Sequence, residues 1–356
     1  MFLVARCYYE WVRKENTSPR GSGERSRVRL VLLVATLFTL LLHVDARAMP
    51  EGSEHRIQVG VLAKRGHDRC LTQWGPTADY LSGQIPGYRF EILPLGFDEI
   101  NPATERGEVD FILANPAFYV DLEQRYGASA IATLENLRLD GSYTVFGGVV
   151  FTRADREDIQ QLSDLEGGSF AAVEETSLGG WLMAWREFKV EGLDPHRDFK
   201  DLHFAGTHDA VVYAVLNGEV DAGTVRTDTL ERMEAEGKIR LQDFRVIPNE
   251  RAADEFSLPF VHSTPAYPEW PFARARHTSN ELADQVSVAL LRMDPQSPAA
   301  RAALSAGWTA PLQYQEVREL LKELQLGPVA TLAMGCRPGS FCGDYWYVCG
   351  PAGTAQ

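Results

Sequence analysis

The chain has 356 residues, 49 acidic against 35 basic, giving a formal net charge of −14 with 45% hydrophobic residues. That balance argues against a nucleic-acid binder, which needs a basic face to neutralise phosphates. A buried site for a small anion answers only to its local donors and stays open.

Residues 1–20 form a polar leader, either an extended start to an export signal or the product of a start codon placed too far upstream. Arg25, Arg27 and Arg29 precede an apolar run of 13 residues, 30–42, and Ala46-Arg47-Ala48 places small residues where a signal peptidase reads. The pattern predicts a secretory signal over residues 1–48, cut after Ala48, and a periplasmic mature chain. An uncleaved anchor is the alternative, although a spanning helix needs about 20 residues. Residues 1–48 carry eight basic and four acidic side chains, so without their +4 the charge becomes −18. About 300 remaining residues suit two lobes, and none of their segments approaches membrane-spanning length.

In chain order, short apolar runs bounded by turn residues predict strands at 57–62, 89–93, 144–151, 169–173 and 201–204. Two further segments match at an offset of 111 residues. The first runs from Asp98-Glu99-Ile100 through Gly107-Glu108-Val109-Asp110 and Phe111-Ile112-Leu113-Ala114 to Asn115-Pro116-Ala117. The second runs from Asp209-Ala210-Val211 through Gly218-Glu219-Val220-Asp221 and Ala222-Gly223-Thr224-Val225 to Arg226-Thr227-Asp228. In each, an Asp sits where a helix N-cap belongs, a Gly ends the helix and a strand follows into a polar loop. A helix leaves each loop, over 118–125 and 229–236. One unit used twice predicts an α/β fold of two related lobes, each a mixed sheet flanked by helices.

In such sheets ligands gather where strand ends meet helix N-termini. The loops there are Lys64-Arg65-Gly66 after the first strand, Thr176 and Ser177 ahead of a helix over 181–189, His208 beside Asp209, and Arg226 in the second repeat. Asn115 and Tyr119 hold the matching places in the first. Thr176 and Ser177 carry the strongest anion signal, with helix capping as the equal alternative. His208 is either a donor to an anion or an ordinary polar residue, and Arg226 either grips a ligand oxygen or pairs with Asp228 or Asp221.

Cys70 stands alone, whereas Cys336, Cys342 and Cys349 crowd the Gly-rich last stretch, 329–356, which shows no periodicity. Three disulfide pairings are open in an oxidising compartment. The spacings are not those of zinc knuckles, and no metal or other cofactor is expected. A catalytic thiol at Cys70 is weakly supported. No nucleophile elbow, metalloprotease motif, Walker loop or dinucleotide fingerprint occurs after residue 48, so an enzyme is not expected. An ester hydrolase using Thr176-Ser177 with His208 is a minor third reading.

Several ordered motifs resemble the phosphate/phosphite/phosphonate-binding family of type II periplasmic binding proteins over about residues 55–328. They are Gly60-Val61-Leu62; Trp74, Pro76 and Ala78-Asp79-Tyr80-Leu81; Gly107-Glu108-Val109-Asp110 with Asn115-Pro116-Ala117; Glu175-Thr176-Ser177-Leu178-Gly179-Gly180; and Gly206-Thr207-His208-Asp209-Ala210 with Asn217-Gly218-Glu219-Val220-Asp221. The resemblance implies hydroxyls and N–H groups at Thr176-Ser177 binding an oxyanion, with His208 assisting. The stretch from Phe260 through His262, Ser263 and Trp270 to Phe272 is similar to sensor regions of bacterial histidine kinases, including tetrathionate-sensing ones. The Lys64-Arg65-Gly66 loop departs from the hydroxyl-rich first loop of typical phosphonate binders.

Together these features predict lobe 1 from residues 55–142 and 265–328, and lobe 2 from residues 143–264, with hinge segments at 143–151 and 245–259. Hinge closure would bring Arg65, Tyr119, Thr176, Ser177, His208 and Arg226 around a small anionic ligand, with His262 and Ser263 near the hinge. The partner would be an ABC transporter permease or, alternatively, a sensor kinase; membrane contact would come only through an uncleaved signal segment.

Overall fold

The computed structural model describes residues 54–138, 141–249, 258 and 261–328. In chain order the first lobe comprises β1 (His55–Leu62), α1 (His67–Gln84), β2 (Tyr88–Leu95), α2 (Ile100–Glu105), β3 (Phe111–Leu113), α3 (Pro116–Tyr126), β4 (Ser129–Arg138) and β5 (Gly141–Tyr143). The chain crosses on β6 (Val145–Phe146) into β7 (Gly148–Arg153), β8 (Ser169–Ala172), α4 (Met183–Val190), α5 (Pro195–Asp198), β9 (Asp201–Phe204), α6 (His208–Leu216), β10 (Ala222–Arg226), α7 (Thr229–Ala235) and β11 (Phe244–Val246). It returns on β12 (Tyr267–Pro268) to β13 (Pro271–Arg274), α8 (Asn280–Leu291), α9 (Pro298–Ala303), β14 (Ser305–Thr309) and α10 (Gln315–Glu323).

Sheet one runs β14-β4-β13-β3-β1-β2 with β5 on β4, sheet two runs β11-β7-β10-β8-β9, and β6 pairs β12 between them. The two lobes are thus mixed sheets joined by two crossing strands. Helices cover them through apolar stripes; on α1, Cys70, Trp74, Thr77, Ala78 and Leu81 are buried at helical spacing. The free thiol of Cys70 lies in this core, where burial pushes its pKa up to about 12.

The 111-residue repeat has a structural counterpart. Both β3 and β10 lie between a parallel and an antiparallel neighbour. Ahead of each strand, one aspartate ties it to the parallel neighbour. Gln58 N donates to Asp110 Oδ2 at 2.8 Å and Asp110 N to Gln58 O at 2.8 Å. Ser169 N donates to Asp221 Oδ2 at 2.7 Å and Asp221 N to Ser169 O at 3.0 Å. Both members of each pair keep the 111-residue offset.

Several expectations are corrected. The strand expected over 144–151 is two, broken at Gly147, because Val145–Phe146 leaves to pair with β12. A side chain at Gly148 would meet Thr264 Cγ2 at 3.0 Å, which explains the small residue at the crossing. Of the second expected hinge segment, Arg245 and Val246 pair with β7 inside sheet two, and residues 250–257 and 259 lie outside the described residues. The return crossing is β12.

Neither repeat Asp caps its helix. α2 has Glu99 at the cap without a side-chain bond, and α6 is capped by Thr207, whose hydroxyl accepts from Ala210 N at 3.3 Å. The helix expected over 181–189 begins as a π turn, Leu178–Leu182, before α4. The leader, the signal segment, Phe260 and the Cys-rich stretch lie outside the described residues. Among the described residues no helix is long and apolar enough to cross a membrane.

Candidate functional site

Between the lobes lies a cavity of about 460 Å³. Lobe 1 lines it with the loop after β1, the start of α1, β4 and Leu304; lobe 2 lines it with the start of α6, the end of β10 and α7. A second void of about 10 Å³, room for about one water, adjoins Ser177, Leu178 and Gly179 and shares Lys64, His208, Arg226 and Trp270 with the first.

A buried charge cluster forms the shared wall. β10 ends at Arg226, and the chain turns through Asp228, at φ 69°, into α7. Arg226 Nη2 donates to Glu269 Oε1 at 2.5 Å, and its guanidinium carbon lies 4.2 Å from the Phe146 ring centre. Its buried Nε makes no hydrogen bond within the described residues; Asp228 Oδ1 lies 3.5 Å away. Asp228 Oδ2 also takes Arg138 Nε at 2.9 Å and bonds Arg232. Lys64 Nζ sits 4.7 Å from the Trp270 ring centre. Four basic groups, Lys64, Arg138, Arg226 and Arg232, therefore face two carboxylates, Asp228 and Glu269.

This imbalance moves the titrations. Burial and then Arg226 push the Lys64 amine well below the ordinary lysine range. Burial lowers Arg138 to about 10, with Asp228 offsetting only part. Burial opposes ionisation of Asp228, but Arg138, Arg232 and Arg226 outweigh it and hold its carboxyl low. Burial, Lys64 and Arg226 together hold His208 well below the usual histidine range. The neutral ring accepts from Arg226 N at Nδ1, 3.4 Å, which assigns its proton to Nε2. An arriving anion would reverse the crowding that depresses Lys64.

The expected shell is brought together only in part. His208 and Arg226 line both cavities, Arg65 the larger and Ser177 the smaller. Arg65 is engaged across the cleft: Nε and Nη2 meet Asp209 at 2.7 Å each, and Nη1 and Nη2 meet Glu236 at 3.1 and 3.0 Å. Thr176 is exposed and contributes its carbonyl to Asn115 Nδ2 at 3.4 Å. Tyr119 is buried in lobe 1, where its hydroxyl donates to Glu123 Oε1 at 2.7 Å. Ser263 Oγ donates to Ile247 O at 2.6 Å and accepts from Val150 N, holding the crossing. Thr176, Tyr119, His262 and Ser263 line neither cavity.

The expected shell did not include Lys64, Arg138, Arg232, Glu269 or Trp270, and Asp228 entered only as an alternative partner of Arg226, which it faces at 3.5 Å. Lys64 stood in a flagged loop and Trp270 in a flagged aromatic stretch, but Arg138 and Glu269 carry no local signal. Among the described residues no cluster of His, Cys, Asp or Glu forms a metal-binding set.

The sequence pattern of the family described as ABC transporter, phosphonate, periplasmic substrate-binding protein matches residues 59–319. A tetrathionate sensor histidine kinase of Salmonella typhimurium is 36% identical over 273 residues, which make up 76% of this chain and 44% of that protein. The chain thus spans less than half of that relative. Solved structures share the fold. A Prochlorococcus marinus protein in complex with methylphosphonate is 16% identical, with a TM-score of 0.63 over 76% of this chain and 98% of its own. A binding component of a phosphonate ABC transporter from Pseudomonas aeruginosa is also 16% identical, with a TM-score of 0.62 over 81% of this chain and 91% of its own. With two hinged α/β lobes enclosing a cationic cleft and the family pattern spanning most of its length, this chain belongs to the phosphonate-binding family of periplasmic substrate-binding proteins, a family of binders and not of enzymes.

Proposed function

We propose that the protein is a periplasmic solute-binding protein whose lobes close over a small oxyanion and present it to an ABC transporter. The observation that carries this reading is the surplus of buried and half-buried basic groups at the lobe interface of an acidic chain; among the described residues Lys64 forms no ion pair and Arg226 Nε makes no hydrogen bond. Burying unmatched donors is costly, and an oxyanion received from both lobes matches them. Ser177 and the backbone at Leu178–Gly179 add donors from the π turn, and His208 Nε2 adds another. The binding shell is Lys64, Arg138, Ser177, His208, Arg226 and Arg232, with Arg65 closing the cleft. Export follows from the segment before residue 49, with a cut after Ala48; the N-terminal sequence of the protein recovered from periplasm tests it.

The purified protein is to be melted with phosphate, sulfate, methylphosphonate and tetrathionate. A ligand that binds only the folded state stabilises it by about 2.7 kcal/mol at about 100 times Kd. Lys64→Met should remove most of the shift, and the absence of a shift with every anion overturns the reading.

A second reading has its own support. The 36% identity to a sensor kinase exceeds the 16% to these two phosphonate-related structures, which favours a reading in which a kinase reads out the same closure. A kinase reading frame directly downstream of the gene favours sensing, whereas a permease and ATPase favour delivery.

A further inference from the structure

Arg226 belongs to lobe 2, yet its guanidinium is gripped by the two strands that cross between the lobes. The Phe146 ring of β6 lies against it, 4.2 Å from ring centre to guanidinium carbon. Glu269, which directly follows β12, accepts from Nη2 on Oε1 at 2.5 Å. Phe146 pairs in register with Tyr267, so both jaws of this clamp belong to one two-stranded ribbon. Gly179 of the π turn makes room for it: a side chain there would lie 2.8 Å from both Arg226 Cβ and Phe146 Cε2.

Glu269 is itself fixed by its neighbours. Its N–H donates to Thr144 O at 2.7 Å, just ahead of β6, and its carbonyl accepts from the Tyr314 hydroxyl at 3.0 Å. Its second carboxylate oxygen accepts from Trp270 N at 3.2 Å. The residue is 1% exposed and lines neither cavity, whereas Arg226 lines both.

We infer that Glu269 is a positioning residue of the anion site, which acts through Arg226 by setting the guanidinium where the crossing strands dictate. This rests on the anion-binding reading and deepens it. A guanidinium presents its donors in a rigid plane. With one nitrogen bound and one face against a ring, the plane is fixed, and the remaining donors keep one direction toward the cleft. A carboxylate beside the site also opposes an anion by charge. Placement and charge therefore act on affinity with opposite signs, and substitutions separate them.

The test is calorimetric titration of the full chain and its variants with phosphate, sulfate, methylphosphonate and tetrathionate. Glu269→Asp keeps the charge but draws the carboxylate back by one methylene. Its affinity should fall about tenfold or more, the scale of one charge-assisted hydrogen bond to the anion lost. Glu269→Gln keeps the length and an acceptor oxygen without the charge, and its affinity should equal or exceed that of wild type. Phe146→Leu removes the flat face of the other jaw and should lower affinity by about threefold or more. Unchanged affinity in Glu269→Asp, or an equal fall in Glu269→Gln, overturns the inference and leaves the anion reading standing. Loss of the folded state in Glu269→Asp also overturns it, because the residue then serves the fold alone. Failure of wild type to bind any of the four anions overturns both.

Discussion

Arg65 and Asp209 form a two-pronged ion pair across the lobes, with Nε–Oδ1 and Nη2–Oδ2 both 2.7 Å. Arg65 leaves the end of β1 in lobe 1, whereas Asp209 occupies the first turn of α6 in lobe 2. Because Thr207 caps that helix, the Asp209 carboxylate is available for the partner lobe. Glu236 and Lys238 extend the contact, with Lys238 Nζ 3.1 Å from Asp209 and 2.9 Å from Glu236. The cleft is thus held shut by side chains of the protein as well as by any ligand.

Asp209→Asn should loosen that closure without unravelling α6. Ligand-free protein should show a larger radius of gyration by small-angle scattering, with about 1 kcal/mol lost from stability, the scale of a partly exposed charge-assisted pair. Burial opposes ionisation of Glu236, but hydrogen bonds from Arg65 and Lys238 outweigh it and hold its pKa at about 2. A depressed carboxylate contributes fully above its unfolded value of about 4.3 and loses that contribution as pH falls toward about 2. Glu236→Gln should therefore flatten the stability profile between about pH 4 and pH 2.

His208 gives a dependence in another window. Its folded pKa lies well below the ordinary value, so below about pH 6.5 the unfolded chain takes up a proton that the folded chain refuses. This part of the stability is complete above that pH and falls as acid is added. His208→Asn keeps an acceptor for Arg226 N but cannot titrate. The stability gap between wild type and variant should narrow by about 1.4 kcal/mol per pH unit below about 6.5, read from urea midpoints at several pH values.

Asp228→Asn leaves Arg138, Arg226 and Arg232 short of a counter-charge in a buried setting. Asparagine tolerates the left-handed backbone at φ 69°, so the loss is electrostatic, about 3–5 kcal/mol without ligand. Added phosphate or sulfate should raise the melting temperature of the variant more than that of wild type. An equal or smaller rise contradicts an anion site at this cluster.

The repeated aspartates should differ in cost. Asp221 accepts from both Ser169 N and Ser169 Oγ at 2.7 Å and bonds Arg156 as well, whereas Asp110 Oδ2 accepts from Gln58 N and Oδ1 faces His277 at 3.3 Å. Replacing either with alanine strands a backbone N–H, costing about 1–3 kcal/mol, with Asp221→Ala the larger loss in urea unfolding.

The fold was largely legible because its signals are local and used twice. Strands at 57–62, 169–173 and 201–204 stand within a residue or two of their observed limits, and the Gly-Glu-Val-Asp motif marks the same junction in both sheets. The strand over 144–151 was misjudged because Val145–Phe146 and Val149–Phe151 read as one strand across Gly147-Gly148, and only the pairing of Val145–Phe146 with Tyr267–Pro268 shows that they are two. The cap assignment at Asp209 failed for a similar reason: Thr207 and Asp209 are both competent caps, and Arg65, 144 residues away, engages the aspartate.

The site was legible only where it follows strand ends. His208, Arg226 and Ser177 come to the cleft because a loop after a parallel strand must open there. Tyr119 stands in the equivalent repeat position, yet its ring packs 4.9 Å from that of Tyr314, at the start of α10, and lines neither cavity.

By itself the sequence determined the two-lobed α/β order, the duplicated unit and the strand ends that face the cleft, since periodicity, glycine placement and repeated motifs act over a few residues. Only the tertiary structure decided which charges meet: Arg138 from lobe 1, Asp228 from lobe 2 and Glu269 from the returning segment lie far apart along the chain. Their pairing depends on low-dielectric proximity, which spacing in sequence does not encode. The same closure engages Arg65, an expected ligand donor, in one of the ion pairs that join the lobes.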